Sequence, residues 1–322
     1  MTLVERLFLA AGAVLFAALV IHIGPATLLA DLALVGAGFS LIFGQELFAI
    51  LFNTLGWRYA IRPDSRQVAF VDLLAMRRAG DAVNYVTPSA AIGGEVVKAR
   101  LLLRRIATTD AMGSVSLAAI TQFLSQIVFI VAAAPFVAAR ASSPIVGDLA
   151  LGVGAAVVLI CAVLVYLGRR QDAFRRIRAF LVRRGWFERW TRRESDWRAL
   201  DAAIFGAFRD RPVDTVLSVL WFTLGWAMGA VEIYLILYFL GLPAGWSDAI
   251  AIEGLSMLVD LAFFYVPAKI GTQESGKYAI FLLLGLNPAG GLTLGVVRRL
   301  REMGWALLGL LALGYYQRPG TR

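Results

Sequence analysis

Long apolar runs constrain the fold of this chain more than any motif does. A membrane-spanning helix needs about 20 mostly apolar residues, and we predict about six such spans. They are Leu7–Ile23, Leu28–Phe52, Met112–Ala139, Ile145–Gly168, Val213–Leu240 and Leu292–Tyr316. Hydrophobic residues make up 59% of the 322 residues and charged residues 16%, whereas soluble domains are about 25% charged. The sequence therefore predicts an all-α polytopic membrane protein with a single transmembrane domain over residues 1–322.

Two further apolar regions, at about 68–105 and 249–286, are interrupted by proline, glycine and ionisable residues. Basic residues concentrate in cytoplasmic loops, and arginines at 58, 62, 66, 104 and 105 flank the first region. The first region therefore enters and leaves on the cytoplasmic side, and the second enters and leaves on the opposite side. Two broken-helix or re-entrant hairpins of this kind are expected for an inverted repeat. We predict repeat 1 at about 1–139, repeat 2 at about 213–322, and cytoplasmic N- and C-termini.

Four residue types recur in the two broken regions at one constant separation, without a gap. The pairs are Asp81 and Asp260, Pro88 and Pro267, Glu95 and Glu274, and Lys98 and Lys277, each 179 residues apart (260 − 81 = 179). Proline breaks a helix, and glycine permits a tight turn, which we expect at Gly93, Gly94 and Gly271. Helices then restart at about Glu95 and Glu274. Their N-termini suit an anion, and discontinuous helices are typical of a transporter's binding site.

The paired acids and lysines have two interpretations. Glu95 with Lys98, and the equivalent pair in the second copy, could form i, i+3 ion pairs that only stabilise each helix. Ionisable side chains at membrane depth are costly and are usually functional, so we favour substrate binding. Asp81 and Asp260 precede each proline and are expected to brace the descending arm.

A charged run interrupts the last predicted span. Arg298, Arg301, Glu302 and Trp305 share one helical face, and arginine is well suited to phosphate recognition. The alternative is that these charges snorkel to an interface. Because Met303–Tyr316 alone is too short to span a bilayer, we predict that the charges face inward.

Three single acids lie in other apolar segments. Glu46 is included in the predicted site, whereas Glu232 and Glu253 are compatible with an interfacial position. The chain has one cysteine and one histidine, at Cys161 and His22, so we expect no metal site and no cofactor.

The segment 171–211 is rich in arginine, with phenylalanine, leucine and tryptophan at helical spacing. It follows the span predicted within 140–212, and we expect a cytoplasmic basic amphipathic helix on the anionic inner leaflet. A solvated loop with aromatic anchors is the alternative. The net charge of +9 is accordingly attributed to contact with lipid headgroups and not to nucleic acid.

The runs PSAAIGGEVVKARLLLRR from Pro88, PAKIGTQESGKYAIFLLLGL from Pro267 and RRLRE at Arg298–Glu302 resemble the flippase-like transmembrane family. That family includes the membrane part of lysylphosphatidylglycerol synthases, and within it the hopanoid-biosynthesis-associated branch is the most similar. The resemblance implies a bacterial inner-membrane protein that binds or translocates lipids. Lysylation is not implied, because the synthases carry a separate soluble acyltransferase-like domain that we do not find before Arg322. The family pattern has arginine where Lys98 stands, and lysine lacks the guanidinium fork.

These features favour a lipid translocase that is not an enzyme. An amphipathic lipid would place its headgroup between the two broken helices. Glu95 and Glu274 would meet its cationic group or a coupling proton. The helix N-termini and four basic residues would meet its anionic group: Lys98, Lys277, Arg298 and Arg301. An intramembrane enzyme using Asp81 and Asp260 is one alternative. A transporter of small solutes or ions is another.

Overall fold

The computed structural model describes residues 21, 24–86, 92–141, 143–145, 147–148, 151–156, 158–159, 206–243, 245–263 and 271–316. Most of these residues are helical, and there is no strand among them. The helices are α1 (Pro25–Val35), α2 (Gly38–Ala60), α3 (Phe70–Val86), α4 (Ile92–Leu102), α5 (Thr108–Arg140), α6 (Pro212–Phe239), α7 (Trp246–Ala262), α8 (Thr272–Leu283) and α9 (Pro288–Tyr316), with a 3-10 turn at Pro63–Ser65. The predicted all-α polytopic membrane fold is confirmed.

Several predicted features lie outside the described residues. They are nearly all of the span Leu7–Ile23, much of Ile145–Gly168, residues 171–205 of the basic segment, His22, Cys161, and both hairpin prolines, Pro88 and Pro267.

Three of the described helices, α2, α5 and α6, are long and apolar enough to cross a membrane. Their mean hydropathies are 1.4, 2.0 and 1.6 over the most apolar window of each helix. Helix α9 has 29 residues and exceeds the required length as well, but it carries the charged run near its middle.

The predicted span Leu28–Phe52 is not one helix. Helix α1 ends at Val35, and α2 begins at Gly38. Gly36 between them has φ 40° and ψ −124°, a conformation that a residue with a Cβ rarely adopts. A continuous apolar run did not reveal this break, because the glycine interrupts the helix without interrupting the hydropathy.

The two interrupted regions form helical hairpins. Helices α3 and α4 pack together as the first hairpin, and α7 and α8 as the second. Each hairpin is followed by a long helix that packs on the first arm of the other hairpin: α5 on α7, and α9 on α3. A shift of 179 residues moves Ile92 and Thr108 to within one residue of the starts of α8 and α9. The two halves of the chain are therefore interlocked through their hairpins.

Helices α2 and α6 join the halves along an antiparallel, glycine-lined contact. A Cβ at Gly56 would lie 2.7 Å from the Phe222 ring, and one at Gly225 would lie 2.5 Å from Asn53 Oδ1. Small residues allow membrane helices to approach closely. This contact brings the acids in the interior of α2 and α6 to the same level in the bundle, beside α9.

Candidate functional site

Helix α9 carries basic side chains into the interior of the bundle. It packs against α3 and α8, one arm of each hairpin, and also contacts α2 and α6. Arg298 and Arg301 are only 7% and 8% exposed, so these two charges do not snorkel to an interface. Buried guanidinium groups require counter-charges, and the neighbouring helices supply them.

Three acids from three different helices neutralise the two buried arginines. Arg298 donates to Glu232 Oε2 at 2.9 Å and to Glu253 Oε2 at 2.8 Å. Arg301 pairs with Glu46 and lies 3.0 Å from the other oxygen of Glu232. Glu46 thus belongs to the network with both predicted arginines.

Glu232 and Glu253 were missing from the predicted site. Both are buried, Glu232 completely (0% exposed), and both contact Arg298 inside the bundle. Gly229, one turn before Glu232, makes room for the Glu253 carboxylate, because a Cβ there would overlap it. A lone acid in an apolar span implies a buried cation nearby. The sequence did contain a signal for these pairs, because the apolar segments contain single acids and the last span contains arginines that need counter-charges.

The first hairpin holds a second ionic cluster centred on Asp81. Lys98 Nζ lies 3.0 Å from Asp81 and 2.7 Å from Glu95, and Arg77 and Arg78 approach Asp81 at 3.6 and 3.5 Å. Lys98 is buried. In this copy the acid and the lysine of the repeated element do pair within the helix. Asp81 also braces the two arms, since it lies on α3 and its lysine partner lies on α4.

The glycines of the first hairpin do not form the predicted turn. Helix α4 begins at Ile92, three residues before the expected restart at Glu95, so Gly93 and Gly94 lie in its first turn. Gly94 instead permits close approach of the arms, because a Cβ there would overlap Gly80 O. Its N–H donates to Asn84 Oδ1 at 2.6 Å.

The second hairpin differs in the partner of its glutamate. Helix α8 begins at Thr272, and the preceding Gly271 has φ 77°, a conformation suited to glycine. Glu274 accepts the Gly271 N–H at 2.9 Å and the Arg299 Nε–H at 2.5 Å. Arg299 was not among the predicted site residues, because it lies off the helical face that singled out Arg298 and Arg301.

The remaining residues of the second copy are arranged differently from those of the first. Gln273 approaches Asp260 at 3.5 Å. Lys277 is 3% exposed and forms no ion pair or hydrogen bond with any described residue. Asp81 binds Lys98, Arg77 and Arg78, whereas Asp260 is approached by Gln273.

A polar cavity of about 230 Å³ lies along α2, α3 and α9. It contains four predicted site residues and is bordered by the first hairpin, whereas no described residue of the second hairpin lines it. The lining residues are Glu46, Arg78, Asp81, Ala82, Tyr85, Arg301, Glu302, Trp305 and Ala306. Acidic and basic groups therefore face one partly open cavity. Within the described residues, no group of histidine, cysteine or acidic side chains is arranged to hold a metal ion.

Comparison with known families supports the membrane assignment. The lysylphosphatidylglycerol synthase TM region family matches residues 5–310. The chain belongs to this family. No curated protein and no solved structure matches its sequence.

Membership in the lysylphosphatidylglycerol synthase TM region family places both hairpins and the charged run of α9 within the matched segment. The chain is thus a multi-pass membrane protein of a lipid-related family. The hopanoid-associated branch stays a prediction from the sequence.

Proposed function

We propose that this protein is a lipid translocase, or lipid transporter, of the bacterial inner membrane. The observation that carries the proposal is the polar cavity of about 230 Å³ surrounded by charged residues within an apolar helical bundle. Such a space has room for several water molecules or for a lipid headgroup. Maintaining it at membrane depth is costly, and ionisable groups there usually mark a substrate path.

The charges around the cavity suit a headgroup with parts of both signs. Glu46 and Glu302 on one wall can meet a cationic group, and Arg78 and Tyr85 on another can meet an anionic or hydroxyl group. Arg301 is engaged by Glu46 and Glu232, so it orients these acids rather than the lipid. The first broken element brings Asp81 and its partner Arg78 to the same space.

Movement of the lipid would follow from the pairing of the halves. In transporters built from inverted repeats, one repeat rocks against the other around a central site. Helix α9 contacts both hairpins, and its arginines bind acids from α2, α6, α7 and α8. A change in the position of one hairpin is thereby transmitted to the cavity wall. The N- and C-termini and the basic segment 171–211 are assigned to the cytoplasmic side.

The test is transbilayer movement of fluorescent phospholipids in proteoliposomes, followed by chemical quenching of the outer leaflet. We expect Asp81→Asn, Glu302→Gln, Glu95→Gln and Glu274→Gln each to slow movement by about tenfold or more, because each removes a charge proposed to contact the headgroup, and tenfold corresponds to about 1.4 kcal/mol. Asp210→Asn is the matched control, because this acid is exposed. Wild-type rates in all four site variants would contradict the proposed site.

The same assay separates the alternative functions. An ion or small-solute transporter would move no lipid, but would carry its solute with the same sensitivity to these substitutions. An intramembrane enzyme based on Asp81 and Asp260 would convert the lipid and not move it, which mass spectrometry of the vesicle lipids would detect.

A further inference from the structure

Lys277 is a buried cation whose charge is not balanced by a contacting acid. Its side chain is 3% exposed, and within the described part of the chain it has no hydrogen bond and no ion pair. A buried polar group without a partner calls for an explanation, and a buried ammonium group especially so.

The lysine at the matched position in the first hairpin, Lys98, does have acidic partners. Lys98 contacts Asp81 at 3.0 Å and Glu95 at 2.7 Å. The corresponding acids of the second hairpin, 179 residues later in the sequence, are Asp260 and Glu274. Both acids are present in the sequence, yet neither forms an ion pair with Lys277.

Arg299 accounts for the difference. It lies 2.5 Å from Glu274 Oε1, and the second oxygen of that carboxylate accepts the Gly271 N–H. The residue at the matched position in α5 is Ile120 (299 − 179 = 120), which cannot compete for an acid. This difference between the two halves gives the glutamate an arginine partner in the second half only.

Three other cations that the sequence analysis considered for an anionic ligand, Arg298, Arg301 and Lys98, are already neutralised. Arg298 and Arg301 bind the buried acids Glu232, Glu253 and Glu46. Lys98 is held by the acids of the first hairpin. Among these candidates, Lys277 is the cation left for a ligand.

We propose that Lys277 binds the phosphate group of a lipid, and that Arg299 keeps it available by holding Glu274. An ammonium group is a compact donor that binds phosphate as a point charge. This proposal rests on the proposed lipid-transport function and assigns the phosphate to the second hairpin.

Two single substitutions should abolish the site by different routes. Lys277→Gln removes the cation, whereas Arg299→Ile introduces the residue of the first half and releases Glu274 to pair with Lys277. We expect each to weaken binding of short-chain phosphatidylglycerol to the detergent-purified protein by about tenfold or more. Arg209→Gln, which removes an exposed cation, is the control for general loss of positive charge and should bind as the wild type does.

The decisive variant is Arg299→Ile with Glu274→Gln. It lacks the carboxylate that would neutralise Lys277, and glutamine can still accept the Gly271 N–H. We expect binding to recover to within about threefold of wild type, with folding checked by thermal unfolding. Wild-type binding by Arg299→Ile, or no recovery in a folded double variant, would overturn the proposal.

Three ligands identify what is recognised. Dioctanoylglycerol, which lacks phosphate, should bind at least about tenfold more weakly than the phospholipid, and equal binding would overturn the proposal. Inorganic phosphate that competes as well as the lipid assigns the site to free phosphate. Weaker competition assigns it to a lipid headgroup.

The binding assay is independent of transport. If wild-type protein moves no lipid but the variants follow the expected binding order, the phosphate site stands and the transport proposal fails. If wild-type protein moves phospholipid and Lys277→Gln binds and moves it equally well, the transport proposal stands and the phosphate site fails.

Discussion

Glu232 is shared by both buried arginines of α9. Its two oxygens lie 2.9 Å from Arg298 Nε and 3.0 Å from Arg301 Nε, and it is fully buried. We predict that Glu232→Gln destabilises the folded protein by about 3 kcal/mol or more, because removing one partner leaves buried charge uncompensated. Thermal unfolding in detergent measures the effect.

Glu302→Gln is the matched comparison for stability. Its carboxylate is 22% exposed and lies 3.8 Å from Arg301, so its loss should cost at most about 1 kcal/mol. Equal unfolding temperatures for the two variants would contradict the central place given to Glu232 in the network.

At the residue scale, the sequence predicted which types of group the site contains better than which groups pair. It identified Glu46, Asp81, Arg301 and Glu302, which all line the cavity. It did not predict that Arg299 binds Glu274, because pairing within one helix is readable from i, i+3 spacing, whereas pairing between helices depends on packing.

At the scale of elements, the first hairpin depends on contact between glycines of its two arms. A Cβ at Gly94 would overlap Gly80 O and lie 2.5 Å from Asn84 Cγ. We predict that Gly94→Ala separates the arms, lowers the unfolding temperature and impairs lipid movement, because backbone atoms cannot yield as a flexible side chain can.

Gly113→Ala is the control for this prediction. Gly113 lies inside α5 with no atom within 4 Å of the position of an added Cβ, so alanine should stabilise the helix by up to about 1 kcal/mol. A Gly94→Ala protein as stable as Gly113→Ala would show that the close approach of the arms is not required.

The sequence predicted most of the helices, but it predicted only some of the breaks between them. Apolar length predicted α5, α6 and α9 closely, and the matched prolines lie in the sequence between the two arms of each hairpin. The break at Gly36 and the helical position of Gly93 were not readable, because a glycine's conformation is set by the packing around it.

At the scale of the whole molecule, the arrangement of helices is consistent with two halves of opposite orientation. Helices α2 to α5 and α6 to α9 follow each other in the same order, and each half packs its last helix on the other's hairpin. The sequence predicts the repeat through its constant spacing. It did not reveal that the long last helix of each half packs on the hairpin of the other half, since contacts between halves leave no periodic signal.

The orientation of the halves can be tested by cysteine labelling, since Cys161→Ser removes the one native cysteine. The loops at 61–69 and 103–107 contain arginines, whereas those at 240–245 and 284–287 contain no basic residue. The distribution of basic residues therefore predicts opposite faces for the two pairs. Gln67→Cys and Ala107→Cys should react with an impermeant thiol reagent only in inside-out vesicles, and Pro243→Cys and Asn287→Cys only in right-side-out vesicles.

All four positions are exposed, so a lack of reaction in one type of vesicle reports the side of the membrane and not burial. Labelling after detergent solubilisation provides the control, because every cysteine should then react. Reaction of both loop pairs from the same side would contradict the inverted repeat. The rocking mechanism would then fail as well, because a site that alternates between the two faces requires hairpins that enter from both.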